Sequence, residues 1–183
     1  VMLPTLMFAE ITPVATSTGV LALVNIPKFV SPETPSFALM LEDIQDPGNL
    51  GSMLRTAAAA GVEVVYLSEA CTDAWSPKAL RGGQGAQFVL PIVERADLLK
   101  VMQHFQGASY ATTIQGESLY RQDFTTPTAF VIGNEGSGLR PKTIQAATKS
   151  IRIPMQTNSV ESLNAATATA ICLFERTRQL ETK

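Results

Sequence analysis

From Phe37 to the end of the chain, short apolar runs alternate with stretches whose apolar residues recur at helical spacing. Glycine or proline marks most of the junctions between them. The runs at 37–41, 62–67, 88–93, 110–114, 129–132 and 151–153 read as buried strands, because they are too short and too uniformly apolar for surface helices. Helices are expected at 49–60, stopped by Gly61, and from Ser76-Pro77 to Gly82-Gly83, where an oxygen-bearing cap precedes proline. Further helices are expected around Leu98, Leu99, Met102 and Phe105, at 141–147 and at 162–179. Strands that alternate with helices make an α/β layer fold, with a mostly parallel sheet flanked by helices. There is no internal repeat.

The 183 residues, 45% of them hydrophobic and 16% charged, can bury a substantial core, which excludes a disordered chain. Residues 1–35 differ: they are proline-rich with one apolar run at 20–26, and they read as the end of another element plus a linker. The chain opens on Val1, which fits a truncated chain. The net charge of −2 carries no basic surplus, so any nucleic-acid affinity must come from a local patch. Arg81, Arg140, Lys142, Lys149 and Arg152 are the candidates, each otherwise an ordinary solvated charge. Cys71 and Cys172 match no metal spacing and read as two buried thiols of a cytoplasmic protein. No run reaches membrane-spanning length. His104 is the only histidine and stands in a helix away from the polar clusters, so a Ser-His-Asp triad and a His-based zinc site are both excluded.

Three polar clusters each follow a predicted strand, where open α/β sheets bind ligands. The first runs Asp46-Pro47-Gly48-Asn49-Leu50-Gly51 and continues to Arg55. Helical spacing places Asn49, Ser52, Arg55 and Thr56 together. Asn49 has a plain reading as a helix cap, and Arg55 as a surface charge. Arginine is also a good phosphate clamp, through its planar fork of donors. The second cluster, Gly133-Asn134-Glu135-Gly136-Ser137-Gly138, lets backbone approach a ligand closely, but matches neither a P-loop nor a dinucleotide fingerprint. Glu135 is its one charge. The third holds Pro154, Ser162 and Asn164 ahead of the last helix, where Ser162 and Asn164 either cap that helix or face a ligand at its start.

Together these clusters resemble the three signature motifs of the SpoU family, ribose 2′-O-methyltransferases of the SPOUT superfamily that act on rRNA or tRNA. The matches are 46–61 (DPGNLGSMLRTAAAAG), 130–139 (FVIGNEGSGL) and 151–175 (IRIPMQTNSVESLNAATATAICLFE). The resemblance covers roughly residues 36–183. It implies a SPOUT-type fold with a C-terminal trefoil knot, S-adenosyl-L-methionine as cofactor, and an obligate homodimer. The cofactor loops would contain Thr113, Gly133, Ile153 and Leu163. The catalytic residues would fall on Asn49, Arg55, Glu135 and Asn164, with Ser162 nearby, and Arg55 would face the cofactor of the other subunit. Because arginine stays protonated, Arg55 would hold an RNA phosphate and orient the ribose hydroxyl rather than act as base. Residues 1–35 would be the end of an N-terminal RNA-binding domain plus linker. One departure stands out: the family's third loop carries a glycine soon after Ile-Pro-Met, whereas here the chain reads Gln156-Thr157-Asn158-Ser159 and is one residue longer. The expected activity is S-adenosylmethionine-dependent 2′-hydroxyl methylation, with rRNA favoured over tRNA. The alternatives are a non-catalytic RNA-binding relative and a nucleotide-binding α/β enzyme.

Overall fold

A computed structural model describes residues 1–12, 17–156 and 162–181. The longer third loop lies largely outside the described residues. After a short helix α1 (Thr5–Ile11), the order is β1 (Phe37–Leu41), α2 (Pro47–Ala59), β2 (Val64–Leu67), α3 (Pro77–Gly83) and β3 (Ile92–Val93). Then come α4 (Leu98–His104), β4 (Ala108–Ser118), β5 (Thr128–Ile132), α5 (Pro141–Ala146), β6 (Lys149–Arg152) and α6 (Ala165–Glu181). The strands form one sheet in the order β3-β2-β1-β5-β4-β6, and every pairing is parallel. The expected mostly parallel, helix-flanked sheet is thus present.

β1 and β5 lie side by side at the centre, and every residue in both is buried. Their apolar runs are unbroken because helices cover both faces. Phe37, Leu39 and Leu41 face a core shared with Leu50 and Leu54 of α2 and Leu173 of α6. Ala38 and Met40 face the opposite core, with Leu98 and Met102 of α4. The strand order reverses between β1 and β5. That switch point leaves a crevice at the carboxyl edge of the sheet.

α2 starts at Pro47, two residues ahead of the expected Asn49. Asp46, not Asn49, is its cap: the Asp46 carboxylate accepts from the Asn49 amide at 2.8 Å, and Pro47 holds the first turn. The Asn49 side chain is therefore free for other work. α2 lies so close to α3 that a Cβ on Gly51 would stand 2.3 Å from the Ala79 carbonyl oxygen.

Three elements differ from the sequence reading. The strand expected at 88–93 shrinks to Ile92–Val93, because Ala86–Phe88 forms a 3-10 turn. The buried Gln87 amide anchors that turn by donating to the Ala74 and Ala79 carbonyls. β4 runs on to Ser118, since Gly116 lies against the Ile151 backbone where a Cβ would be 2.5 Å away. Ile151 therefore registers with both Thr112 and Glu117 of β4, and residues 113–116 form an irregularity between the two registers. Helix α6 begins at Ala165 rather than Ser162. Asn164 is its cap, its carbonyl oxygen accepting from the amides of Ala166 and Thr167. Among the described residues of 1–35, only Pro35 is buried, so this segment adds little to the core.

Candidate active site

The carboxyl ends of β4, β5 and β6, with the approach to α6, enclose a cleft of about 440 Å³. That is the size range of small-ligand sites. Thr113, Gly133, Ile153 and Leu163 all line it. Ile132, Leu139 and Ile144 supply apolar walls. Glu135 and Ser162 also contribute to its lining.

The loop after β5 forms one wall and is shaped by its own residues. A Cβ on Gly133 would meet the Gly138–Leu139 backbone at 2.4 Å, so only glycine allows the two limbs of the loop to touch. The Asn134 side-chain oxygen accepts from the amides of Gly136 and Ser137 at 2.9 Å each. Its NH₂ group donates to the Asp43 carbonyl at 2.8 Å, tying the loop to the end of β1. Asn134 was not singled out by sequence reasoning; an asparagine inside a glycine turn is the signal that could have found it.

Glu135 reaches across to the first signature segment. It accepts from the Asn49 side-chain amide at 3.1 Å, from the Asp46 backbone amide at 3.4 Å and from the Gln45 backbone amide at 3.3 Å. Burial pushes its pKa upward, but hydrogen bonds from its own backbone, from Asn49 and from Gln45 and Asp46 prevail and hold it below the ordinary glutamate value. Asn49 in turn accepts from the Asn164 side-chain NH₂ at 3.1 Å. A relay Asn164→Asn49→Glu135 thus joins all three signature segments, over sequence separations of 115 and 86.

Two predicted residues stand outside this relay. Ser162 sits at the exposed rim of the cleft. Arg55 is exposed on α2 and is not among the residues lining the cleft of its own chain. Beside the relay, Lys78 of α3 pairs with Asp46 at 2.6 Å. That hydrogen bond, with help from the Asn49 amide, holds the Asp46 carboxyl below its ordinary value.

Arg140, one of the expected RNA-binding cations, is committed within the fold. It pairs with the buried Glu42 at 2.7 Å and lies 3.8 Å from Asp43. Arg81, Lys142, Lys149 and Arg152 are exposed, with Lys149 donating to Gln122 at 3.1 Å. His104 is exposed on α4 and its ring nitrogen contacts the Lys100 carbonyl, away from the cleft. Both cysteines are free; Cys172 is buried and Cys71 half-buried. Among the described residues, no group of acidic, histidine or cysteine side chains is arranged to hold a metal ion, and no helix is long and apolar enough to cross a membrane.

An all-parallel sheet whose ligand cleft is closed by loops after its late strands, with an amide–carboxylate relay at the mouth, defines a group-binding α/β domain without imidazole at its site. Comparison with known proteins narrows the class. The model of the SpoU rRNA Methylase family matches residues 36–174, and the chain belongs to that family. An uncharacterized tRNA/rRNA methyltransferase of Synechocystis sp. is 39% identical over 88% of this chain and 61% of its own length. The 23S rRNA (guanosine-2′-O-)-methyltransferase RlmB of Pseudomonas putida is 36% identical over 82% of this chain and 62% of its own. Among solved structures, the SpoU methyltransferase AviRb from Streptomyces viridochromogenes in complex with AdoMet superposes with a TM-score of 0.74. It is 30% identical, covering 83% of this chain and 61% of that one. The chain thus spans about three-fifths of the length of the curated relatives it matches.

Proposed function

We propose that this chain is the catalytic part of an S-adenosylmethionine-dependent RNA methyltransferase that modifies a ribose 2′-hydroxyl, in rRNA rather than tRNA. The observation that carries this reading is the relay Asn164→Asn49→Glu135 at the mouth of a cleft lined by Thr113, Gly133, Ile153 and Leu163. The cleft fits the cofactor: it is of nucleoside size, its walls are largely apolar, and a glycine-built loop lets main chain approach a ligand. When bound, S-adenosylmethionine supplies an electrophilic methyl group on a sulfonium, a donor that needs no metal.

The chain's own residues then orient and bind. Glu135, held ionised by its hydrogen bonds, fixes Asn49 and presents a negative edge beside the cleft. Asn49 and Asn164 set the position of the ribose. Arg55 contributes from a second copy, where its guanidinium grips the phosphate next to the target ribose and aligns the hydroxyl; its exposure outside the cleft of its own chain supports this. Most of the acceleration comes from such positioning. The homodimer, the trefoil knot around the cleft, a cytoplasmic location and the assignment of residues 1–35 to the end of an RNA-binding domain belong to the same reading. Knots are rare in proteins, and the SpoU resemblance is the reason to expect one.

The test is mixing. Arg55→Ala and Asn49→Ala are each expected to bind S-adenosylmethionine in calorimetry and to transfer almost no methyl to rRNA. Co-refolded in equal amounts, they should regain activity at about a quarter of the sites, since only mixed dimers hold one intact site. No recovery would place Arg55 in its own subunit's site; full activity in Arg55→Ala alone would remove it from the reaction. The rRNA assignment is checked by mapping which 2′-O-methyl disappears on gene deletion.

A further inference from the structure

Glu42 plays no part in the relay, yet it is only 1% exposed at the end of β1. One carboxylate oxygen accepts from the Arg140 backbone amide at 2.7 Å. The other accepts from the Arg140 side chain, at 2.8 Å from Nε, and from the Thr143 hydroxyl. A buried carboxylate is held this fully because leaving it unpaired is costly.

The consequence lies in where these donors sit. Arg140 follows the glycine loop, and Thr143 is in the first turn of α5. The next residue past the end of β1, Asp43, holds the other limb of the loop, its carbonyl accepting from the Asn134 side chain. Two consecutive residues of one strand end therefore grip both limbs of the segment 133–140. Between the grips, Asn134 braces the turn through the Gly136 and Ser137 amides, so the loop moves as one piece on its two anchors, and Glu135 must cross from it to Asn49. With the Glu42 grip released, the returning limb can swing and Glu135 drifts from the relay.

We propose that Glu42 is a positioning residue: through Arg140 and Thr143 it sets the glycine loop, and so the Glu135 carboxylate and the cofactor wall. The role in methyl transfer rests on the function proposed above, whereas the latch itself does not. The experiment follows hydrogen exchange of residues 133–140 in the full chain without ligand, for Glu42→Gln, Arg140→Met, Arg140→Lys and Thr143→Val. Exchange in this segment is expected to quicken at least about tenfold in Glu42→Gln and Arg140→Met, and to stay near wild type at 64–67 of β2. Arg140→Lys, which keeps a charged donor, should recover part of the protection. Titration with S-adenosylmethionine should show weakening in the same order, by about tenfold in Arg140→Met. If Glu42→Gln or Arg140→Met fails to fold, Thr143→Val decides, because it removes one hydroxyl donor, keeps the Glu42–Arg140 ion pair, and should still quicken exchange at 133–140. Unchanged exchange at 133–140, or equal quickening throughout the sheet, would overturn the proposal. A wild-type chain that ignores S-adenosylmethionine would sink the functional reading, while the exchange comparison would still decide the latch.

Discussion

Asn49→Asp tests the relay most sharply, because it changes one atom and reverses one interaction. The wild-type amide donates to Glu135 at 3.1 Å and accepts from Asn164 at 3.1 Å. The new carboxylate still accepts from Asn164, but it confronts Glu135 with a like charge. For two such charges about 4 Å apart, the distance to which the oxygens would retreat, the repulsion is about 1 kcal/mol in fully aqueous surroundings and about 4 kcal/mol at a typical protein surface. Glu135 is exposed, which places the effect toward the lower figure. A loss of about 1–2 kcal/mol should lower the melting temperature by roughly 2–8 °C in a chain of this size. The sign with pH is definite. The folded carboxyl pair has a raised pKa, so the penalty is fully present at neutral pH and fades as pH falls toward the ordinary carboxylate range. Methyl transfer should drop about a hundredfold, the usual cost of a misplaced group. Adding Glu135→Gln restores most of the complementarity: the new amide donates to the carboxylate at position 49 and its oxygen still accepts from the Gln45 amide, while the Asp46 amide, which shared the oxygen facing Asn49, loses its acceptor. Calorimetric melting at pH 5 and pH 8, with methyl transfer to rRNA, reads all of this. If the single variant melts like wild type at both pH values, or if the double variant is no better than the single, the relay does not exist as described.

Other outcomes follow from the same geometry. Gly133→Ala forces a Cβ to 2.4 Å from backbone, so it should lose about 1–3 kcal/mol in denaturant melts and weaken S-adenosylmethionine binding together. Asp46→Ala should flatten the acid limb of the stability profile. The lowered Asp46 pKa gives stability present above its unfolded value and lost as pH falls through the folded one, so the difference from wild type vanishes in strong acid. Burial pushes the Cys172 thiol up to about 12, and that residue should resist a thiol reagent at pH 8 until the chain unfolds, whereas half-buried Cys71 reacts first.

Much of this was legible in the chain because the signals were local. Ser76-Pro77 announced a helix start, and the apolar runs of β1 and β5 announced strands buried on both faces. Thr113, Gly133, Ile153 and Leu163, expected at the cofactor through the motif resemblance alone, do share one cleft. What could not be read depends on partners far apart in order. The Glu42–Arg140 contact spans 98 positions, and no periodicity marks it. Arg140 therefore looked like a free cation. Phe88 and Val89 looked like strand residues by apolarity, but a side-chain amide, Gln87, bends that stretch into a turn. The helix was expected from Ser162, yet it begins at Ala165 with Asn164 as its cap, and the same side chain also serves the relay.

That double duty of Asn164 ties chemistry to completion of the fold. One side chain both launches the final helix with its oxygen and closes the relay with its nitrogen. Until the last segment docks, the wall formed by Ile153, Leu163 and Ala165 and the Asn164 end of the relay are both missing, so cleft and relay are completed in a single step.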